Sequence, residues 1–244
     1  MLKSKIKLLL QKILGYENFL YVFAVFTVKR LKSNQHEKEF FYFLKLVPND
    51  GVILDIGANI GVMTTALAME MDKAVIYAFE PMPNNFKVIN RVQKHFKLSN
   101  IKAFNIGLGE ENGELKMVLP IINNVKMQGL SHVVKENDDS DWNKGEYFTV
   151  PVKKLDDIDE LKNIKKIVAI KIDVENFEYY VFRGGSELLK KHKPIIYVEL
   201  WTNEMRDVCL DYLRSFGYTI KVFNGTDLEL FTNQADTNFF CIAK

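Results

Sequence analysis

Three charged side chains stand at alternate positions at the end of the apolar sequence IVAIKIDVE. They are Lys171, Asp173 and Glu175, and alternate residues of a strand lie on the same face of a sheet. Charged groups are costly to bury unpaired, so we expect them to emerge at the carboxyl end of the strand. A carboxylate there can take a proton from a substrate; Asp173 is the first candidate for this base or for positioning the substrate, with Glu175 next. The alternative is an ion pair with Lys171 that takes no part in chemistry.

A further acid ends a second apolar run, PIIYVEL, at Glu199. Together with the aromatic Trp201 it would suit a sugar acceptor, and simple strand capping is the alternative interpretation. His132 could act as a base, although a lone loop histidine is more often incidental. Clustered carboxylates can hold a divalent cation, but the sequence contains no complete ligand set, and we predict no metal site.

The stretch VILDIGANIG places two glycines four residues apart, directly after an apolar run. In an open parallel sheet a ligand lies beyond the carboxyl ends of the strands, so Asp55, Gly57, Asn59 and Gly61 are predicted to contact a cofactor. A glycine lets the backbone turn and approach a ligand without a Cβ, and the second lets the next helix pack closely. Asp55 could instead cap that helix, and a tight turn without a ligand is the alternative for the glycines.

Glu80 and Pro81 end the next apolar run, YAFEP, nineteen residues beyond Gly61. A carboxylate at this distance can accept hydrogen bonds from both hydroxyls of a ribose. The dinucleotide fingerprint GxGxxG lacks its second and third glycines here, which leaves a pyrophosphate without an obvious seat. The pattern therefore favours S-adenosylmethionine over NAD as the cofactor, with Asn105, after the third apolar run, as a further contact.

The elements that must position these residues alternate along the chain. From residue 37 onward, strand patterns alternate with helical ones, among them a helix at about 62–71, one begun by Asn84 or Asn85, and one at about 179–192. Such alternation indicates right-handed βαβ units and a parallel sheet with covered faces. With the final strand patterns YTIKVFN and NFFCIAK, it predicts an α/β, Rossmann-like class I methyltransferase fold: a seven-stranded, mostly parallel sheet with an antiparallel last strand and helices on both faces.

The middle of the chain departs from this alternation. GELKMVLP and EYFTVPVKKLDDI are strand patterns with no long helix between them, and residues 123–145 are polar and rich in turn formers. Long irregular loops in compact domains are usually functional or mobile. We therefore expect residues 123–145 to be a lid or insertion within a methyltransferase domain that spans residues 37–244.

Residues 1–36 are predicted to be a separate, basic amphipathic helical segment. The sequence LKSKIKLLLQKIL places one apolar stripe on a helix, made of Leu2, Ile6, Leu9, Leu10, Ile13 and Leu14. Residues 1–32 hold seven Lys/Arg and one acid, whereas the other 212 residues hold 26 Lys/Arg and 30 Asp/Glu. The apolar run that follows, FLYVFAVFTV, is well short of the ~20 residues that span a bilayer. We expect a helical cap on the domain, with attachment to an anionic membrane surface as the alternative.

Composition excludes several classes of protein. With 48% hydrophobic and 26% charged residues, the chain is an ordinary globular protein without a collagen-like or disordered bias. Its only two cysteines, Cys209 and Cys241, lack CxxC spacing and favour a reduced compartment, and no signal-peptide pattern is present. We predict a cytoplasmic protein, peripheral to the inner membrane surface where residues 1–32 contact lipid. The mildly acidic body argues against nucleic acid as a partner; oligomeric state is left open.

Five stretches resemble the FkbM family of S-adenosylmethionine-dependent methyltransferases. In chain order they are VILDIGANIG, YAFEPMPNNF, VPVKKLDDI, IKIDVENFEYYVFRGG and PIIYVEL, within residues 37–200. The resemblance implies a Rossmann-like methyltransferase fold and, most often, methyl transfer to a hydroxyl of a sugar, polyketide or other secondary metabolite. The family usually has glycine after DVE, where this chain has Asn176; because asparagine tolerates positive φ, we expect the turn to survive.

Two other functions fit parts of the pattern. An NAD-dependent oxidoreductase or epimerase would share the strand, loop and acid, but the missing glycines and the lack of a YxxxK dyad weigh against it. A catalytically silent methyltransferase-like domain could serve as a membrane-associated scaffold through its basic N-terminal helix. For the enzyme, the expected partner is a small-molecule or glycan acceptor.

Overall fold

The predicted strands assemble into one large sheet with a smaller sheet beside it. A computed structural model describes residues 2–33, 37–134 and 141–243. The strands are β1 (Gly51–Ile56), β2 (Ala74–Phe79), β3 (Ile101–Phe104), β4 (Gly107–Leu108), β5 (Gly113–Ile122), β6 (Val125–Lys126), β7 (His132–Val133), β8 (Gly145–Lys153), β9 (Ile167–Ile172), β10 (Ile195–Glu199), β11 (Tyr218–Phe223), β12 (Leu228–Leu230) and β13 (Asn238–Ala243). The helices are α1 (Leu2–Leu14), α2 (Tyr16–Arg30), α3 (Lys38–Leu46), α4 (Val62–Glu70), α5 (Pro83–His95), α6 (Asp159–Lys162), α7 (Glu178–Arg183), α8 (Ser186–His192) and α9 (Glu204–Ser215).

The large sheet has the strand order β12-β11-β13-β10-β9-β1-β2-β3. Strands β3, β2, β1, β9 and β10 pair in parallel, and β13 runs antiparallel between β10 and β11. The predicted Rossmann-like methyltransferase fold with an antiparallel last strand is thus confirmed. The strand count is corrected from seven to eight, because β12 pairs with β11 at the sheet edge over three register pairs and is too short and exposed to give a clear strand pattern.

The strand order reverses between β1 and β9, which lie side by side. From β1 the strand order continues through β2 and β3 toward one edge of the sheet, and from β9 it continues through β10 toward the other. Ligands of open α/β sheets bind in the crevice at the carboxyl ends of the strands at such a point. The register pairs Asp55 with Lys171, so the predicted charged residue of β9 lies next to the predicted acid of β1.

Both faces of the sheet are covered by helices. On one face, alternate β1 residues such as Leu54 pack in a buried cluster with side chains of α7, α8 and α9, including Phe182 and Leu210. On the other, Ile53 packs with side chains of α3 and α4, including Phe43 and Leu67. Strands buried on both faces are typical of parallel sheets, which explains their nearly continuous apolar sequences.

The two strand patterns of the middle region form the smaller sheet. β5 and β8 pair antiparallel from Gly113↔Val152 to Pro120↔Gly145, and β4, β6 and β7 join them. The segment 123–145 is therefore partly regular: β6 and β7 fold back on β5, and short 3₁₀ turns lie at Gln128–Leu130 and Asp141–Asn143. Residues 135–140 of this segment lie outside the described residues. That the segment acts as a lid stays a prediction.

Two predicted helices differ in their ends. The helix expected at about 179–192 is divided into α7 and α8 by Gly184 and Gly185. The backbone at Gly184 passes so close to the loop before β5 that a Cβ on Gly184 would lie 1.9 Å from the carbonyl oxygen of Gly109. Likewise α5 begins at Pro83, a residue suited to the first helical position, and not with Asn84 or Asn85 as its cap.

The N-terminal segment consists of α1 and α2. α2 packs on the domain through a buried cluster that includes Phe19 and Leu20 of α2 and Val88 and Val92 of α5. Within the described residues, no helix alone has the length and apolarity to cross a bilayer, and α1 and α2 reach them only as a pair bent by 118°.

Replacing Gly184 with alanine is expected to destabilise the fold. The new Cβ would collide with the Gly109 backbone, which cannot move away as a flexible side chain could, and overpacking of this kind costs about 1–3 kcal/mol of unfolding free energy. Chemical denaturation followed by circular dichroism measures this change. Gly129→Ala is the matched control, because its Cβ would meet its nearest atom at an ordinary 3.7 Å; equal stability of both variants would contradict the close approach.

Candidate active site

A cleft lies at the carboxyl ends of β1, β2 and β9, with about 710 Å³ of space when the open solvent at its mouth is included. One wall is formed by the loops after these strands and by the β3–β4 connection. The lining residues of this wall include Ile56, Gly57, Asn59, Phe79, Glu80, Pro81, Met82, Asn85, Ile106, Gly107, Leu108, Asp173, Val174, Glu175 and Phe177. The opposite wall comes from the smaller sheet and the 123–145 segment: Leu115, Met117, Gln128, Gly129, Ser131, Val133, Val150 and Val152.

The cleft brings together part of the predicted site. Six of the predicted residues line it: Gly57, Asn59, Glu80, Pro81, Asp173 and Glu175. The others, Asp55, Gly61, Asn105 and Glu199, lie behind or beside its surface. The residues around the cleft therefore divide into those that can touch a ligand and those that hold them in place.

Glu80 is the most tightly held carboxylate in the cleft. Its Oε2 accepts a 2.8 Å hydrogen bond from the backbone N–H of Asn59, and its Oε1 accepts bonds from the N–H of Met82 at 2.9 Å and the side-chain amide of Asn85 at 3.2 Å. Burial raises the pKa of Glu80 to about 7, although these donors oppose the rise. The loop after β1 and the start of α5 are thus tied together through one carboxylate.

The two glycines of the loop after β1 serve packing. Both have positive φ, 76° at Gly57 and 79° at Gly61. A Cβ on Gly57 would lie 1.9 Å from the carbonyl oxygen of Asp173, and one on Gly61 would lie 3.1 Å from Ile89 of α5. Gly57 is therefore required where the loops after β1 and β9 cross, so its backbone need not contact a ligand to explain the glycine.

Lys171 is buried between two acids. Its Nζ lies 3.7 Å from Oδ1 of Asp55 and 3.7 Å from Oδ2 of Asp173, distances of ion pairs and longer than hydrogen bonds. Burial acts to lower the pKa of Lys171, but Asp173 and Asp55 together hold it above its usual value. Lys171 consequently stays charged, and it does not emerge at the strand end as the alternation predicted.

Asp55 lies fully buried beneath the cleft. Its Oδ2 accepts a 2.5 Å hydrogen bond from the hydroxyl of Thr64 in α4, while the residue at the N-cap of α4 is Gly61. The interpretation of Asp55 as the helix cap is therefore wrong. Burial raises the pKa of Asp55, opposed by Lys171 and Thr64.

The loop after β9 has an unusual backbone. β9 ends at Ile172, so Glu175 does not continue the strand alternation; Glu175 and Asn176 have φ values of 54° and 71°. The turn expected at Asn176 does survive the absence of glycine. Glu178 secures the loop, because its buried Oε1 accepts a 3.0 Å hydrogen bond from the N–H of Val174.

Glu175 has the most strongly raised pKa among the carboxyl groups that line the cleft. Burial raises its pKa to about 8, with further contributions from the negative charges of Asp173, Glu199 and Glu178, and Lys171 only partly offsets them. A residue held in the left-handed region with a shifted pKa is a common feature of functional sites. Glu175 can therefore exchange a proton near neutral pH.

Glu199 and Trp201, which the sequence predicts to act together on a sugar, lie in different surroundings. Glu199 is close enough to Asp173 for that charge to contribute, after burial, to raising its pKa to about 7. Trp201 lies in a small neighbouring pocket with Asn176, Tyr179 and Arg206, so it does not form an aromatic wall for the main cleft.

Two other candidates have structural contacts. The side-chain amide of Asn105 donates to the backbone carbonyls of Glu80 and Pro81, both at 2.9 Å, and so braces the loop after β2. His132 is buried, with its ring nitrogens 2.8 Å from the Leu130 carbonyl and 3.0 Å from Oδ1 of Asn143. Within the described ranges, His, Cys, Asp and Glu form no group of three suited to a metal ion.

Sequence reasoning missed the residues that hold the site from behind. The sequence indicates Asn85 as a possible helix cap, but its amide is directed at Glu80; the sequence pattern does not point to Glu178 or Thr64. Gln128 was also missed: its Oε1 is buried at the cleft wall without a hydrogen-bond partner among the described residues. Of these contacts, only the one between Asn85 and Glu80 could have been predicted from the sequence, because the asparagines of YAFEPMPNN follow Glu80 closely.

Residues 55–220 match the family model of the methyltransferase FkbM domain. The chain is similar to Methyltransferase 1 of Beauveria bassiana (strain ARSEF 2860), with 29% identity over 147 residues, 56% of this chain and 59% of that protein. It is also similar to Methyltransferase sdnD of Sordaria araneosa, with 26% identity over 203 residues, 73% and 78% of the two chains. The match to Methyltransferase 1 thus spans less than two thirds of that protein.

Solved structures show the same fold. A crystal structure of methyltransferase FkbM from Methylobacillus flagellatus KT has a TM-score of 0.52 and 18% identity, covering 79% of this chain and 44% of that one. A putative rRNA methylase from Clostridium thermocellum has a TM-score of 0.50 and 11% identity, covering 84% and 93%. Identities this low establish the fold alone, whereas the family model covers more than half of the sequence. The chain therefore belongs to the FkbM methyltransferase family.

Proposed function

We propose that this chain transfers a methyl group from S-adenosylmethionine to a hydroxyl of a sugar, glycan or secondary metabolite. The observation that carries the proposal is the cleft at the β1–β9 switch point, which combines a preorganised carboxylate at the end of β2 with an excess of carboxylates at the end of β9. The first suits a ribose, and the second suits a cation.

Glu80 is the group that would hold the ribose. A carboxylate has about four lone-pair positions, and three protein donors use three of them. Oε2 therefore keeps room for one hydroxyl. The 3.2 Å bond from Asn85 is the longest of the three and the easiest to exchange for a second hydroxyl.

The charge around β9 favours a cationic cofactor. Asp173 and Glu175 line the cleft and Glu199 lies close behind, while Lys171 already pairs with Asp55 and Asp173. Besides burial, repulsion from the neighbouring carboxylates raises the pKa of Glu175. A sulfonium would relieve this repulsion, whereas the pyrophosphate of NAD would add to it. The electrostatics thus support S-adenosylmethionine over the dinucleotide alternative.

When bound, S-adenosylmethionine supplies an activated methyl group. The contribution of the protein is to position the acceptor and to take up its hydroxyl proton. Glu175 is the better proton acceptor, because a base with a pKa near the working pH is the most effective and its pKa lies at about 8. Asp173, beside Lys171, is better suited to orienting the hydroxyl. This reverses the order in which the sequence ranked the two.

The opposite wall is the region for the acceptor. Gln128 and Ser131 lie there among apolar side chains such as Met117 and Val133. The unpartnered Oε1 of Gln128 would be satisfied by a hydroxyl donor, and a buried acceptor without a partner is otherwise costly. A ligand with both hydroxyl groups and apolar surface fits this wall, in keeping with the 123–145 segment as its cover.

Replacing Glu80 with glutamine is expected to weaken S-adenosylmethionine binding by roughly 10- to 100-fold, the worth of a hydrogen bond to a charged group. The glutamine amide would also face the donors of Asn59 and Met82. Isothermal titration of wild type and variant measures the effect, with the exposed Glu114→Gln as control and NAD as competing ligand. Tighter binding of NAD would favour the oxidoreductase or epimerase alternative, and binding of neither ligand by folded protein would leave the scaffold role.

Affinity for S-adenosylmethionine is expected to rise by about fivefold between pH 7 and pH 9, the part of a total change of about tenfold that falls within this interval. The pKa of Glu175 is raised to about 8, so its carboxylate becomes ionised over this interval and then attracts the sulfonium; one pKa unit of coupling corresponds to a tenfold change. The measurement is titration across pH with S-adenosylmethionine and with uncharged-sulfur S-adenosylhomocysteine. The difference in pH dependence between the two ligands should become smaller in Glu175→Gln. Equal pH profiles for both ligands in the wild type would show that no such carboxylate faces the sulfur.

A further inference from the structure

We propose that α1 and α2 form a docking surface for an anionic lipid bilayer. This N-terminal face consists of exposed large apolar side chains, namely Ile6, Leu9, Leu10 and Ile13 of α1 and Val22, Phe23 and Phe26 of α2. The proposal concerns where the protein works and is independent of the proposed chemistry.

The apolar stripe of α1 faces away from the protein. Ile6, Leu9, Leu10 and Ile13 follow the i, i+3, i+4, i+7 spacing of one helix face, and Leu9 and Ile13 are 57% and 68% exposed. A surface helix of a globular protein normally turns such a stripe toward the core. Here the helical cap expected from the sequence is provided by α2. Leu14 at the end of the α1 stripe packs against the cluster between α2 and α5, and the other four side chains are left exposed.

A polar contact on the other side of α1 sets this orientation. The Gln11 side chain both donates to the backbone carbonyl of Lys126 at 3.0 Å and accepts from its N–H at 3.2 Å. Gln11 lies on the side of the helix opposite the stripe, given 3.6 residues per turn. With this two-bond contact in place, the stripe points outward.

α2 extends the same surface. Its inner side chains Leu20, Ala24 and Val28 are buried, which places Val22, Phe23 and Phe26 on the outer side. The Lys7 ammonium lies 5.8 Å from the centroid of the Phe23 ring, which brings a basic group of α1 next to the apolar side chains of α2. Exposed apolar side chains gathered in this way mark an interaction surface.

The charges around the face select its occupant. Lys5, Lys12, Lys29 and Arg30 are exposed on the two helices, and the one acid within residues 1–32, Glu17, is engaged by Arg91 at 3.0 Å. Basic residues beside an apolar helix face are attracted to anionic lipid, each contributing roughly fivefold to partitioning. A second copy of the chain would set positive charge against positive charge, so self-association is disfavoured.

The test is flotation of the full chain with vesicles of phosphatidylcholine alone and of phosphatidylcholine mixed with phosphatidylglycerol. We expect binding to the anionic vesicles only, weakened by salt because surface charges are screened. Leu9→Glu/Ile13→Glu should lower the bound fraction at least about tenfold, since both side chains would enter the lipid interface. Val208→Glu on the exposed side of α9, where Val208 is 43% exposed, is the matched control and should bind like the wild type.

Light scattering on the same proteins tests whether a second copy of the chain, and not a bilayer, covers this N-terminal face. A dimer that Leu9→Glu/Ile13→Glu converts to monomer, without vesicle binding by the wild type, would assign the face to a second copy and overturn the proposal. A monomer that binds neither kind of vesicle would overturn it as well. S-adenosylmethionine affinity, measured in parallel, is expected to be the same in both variants and the wild type, so the outcome does not depend on the cofactor.

Discussion

The ion pairs of the buried Lys171 are the interaction on which the site depends. Its ammonium lies between Asp55 of β1 and Asp173 at the end of β9, across the two strands where the strand order reverses. Removing charges from water is costly, and such a group is tolerated only with close partners. The arrangement fixes the two loops that form one wall of the cleft. It also consumes the positive charge of Lys171, which leaves Glu175 and Glu199 insufficiently neutralised.

The excess of negative charge at the end of β9 determines which ligands the cleft favours. Burial, together with the other carboxylates gathered at one sheet edge, raises the pKa of Glu175 to about 8 and that of Glu199 to about 7, so the cleft favours protons or a cationic ligand. Glu80, a short distance along the same edge, is held by three donors before any ligand arrives. Rigid positioning on one side and unbalanced charge on the other are the properties expected of a site that binds a nucleoside bearing a positive charge.

The sequence was sufficient for the fold and for the residues at the strand ends. Apolar runs followed by glycine or acid predict parallel strands and their carboxyl edge, because these features are local. What it missed depends on contacts between distant segments. The glycine at the break, Gly184, is required by the close approach of the Gly109 backbone, and the Asn85 amide is directed at Glu80.

The same limit explains the residues that changed role. Periodicity predicts an apolar stripe on α1, but which way the stripe faces is decided by the pairing of Gln11 with Lys126, over a hundred residues away in the chain. Alternation predicts a shared face for Lys171, Asp173 and Glu175 only while the strand lasts, and β9 ends at Ile172. Trp201 likewise follows Glu199 closely in sequence, yet its side chain lies in a neighbouring pocket.

The most direct test of the central claim is a crystal structure of the protein with S-adenosylhomocysteine. The account predicts that the ribose hydroxyls lie within hydrogen-bonding distance of Glu80 and that the sulfur faces Asp173 and Glu175. A ligand bound outside this cleft, or with its ribose away from Glu80 and its sulfur away from the β9 carboxylates, would contradict it.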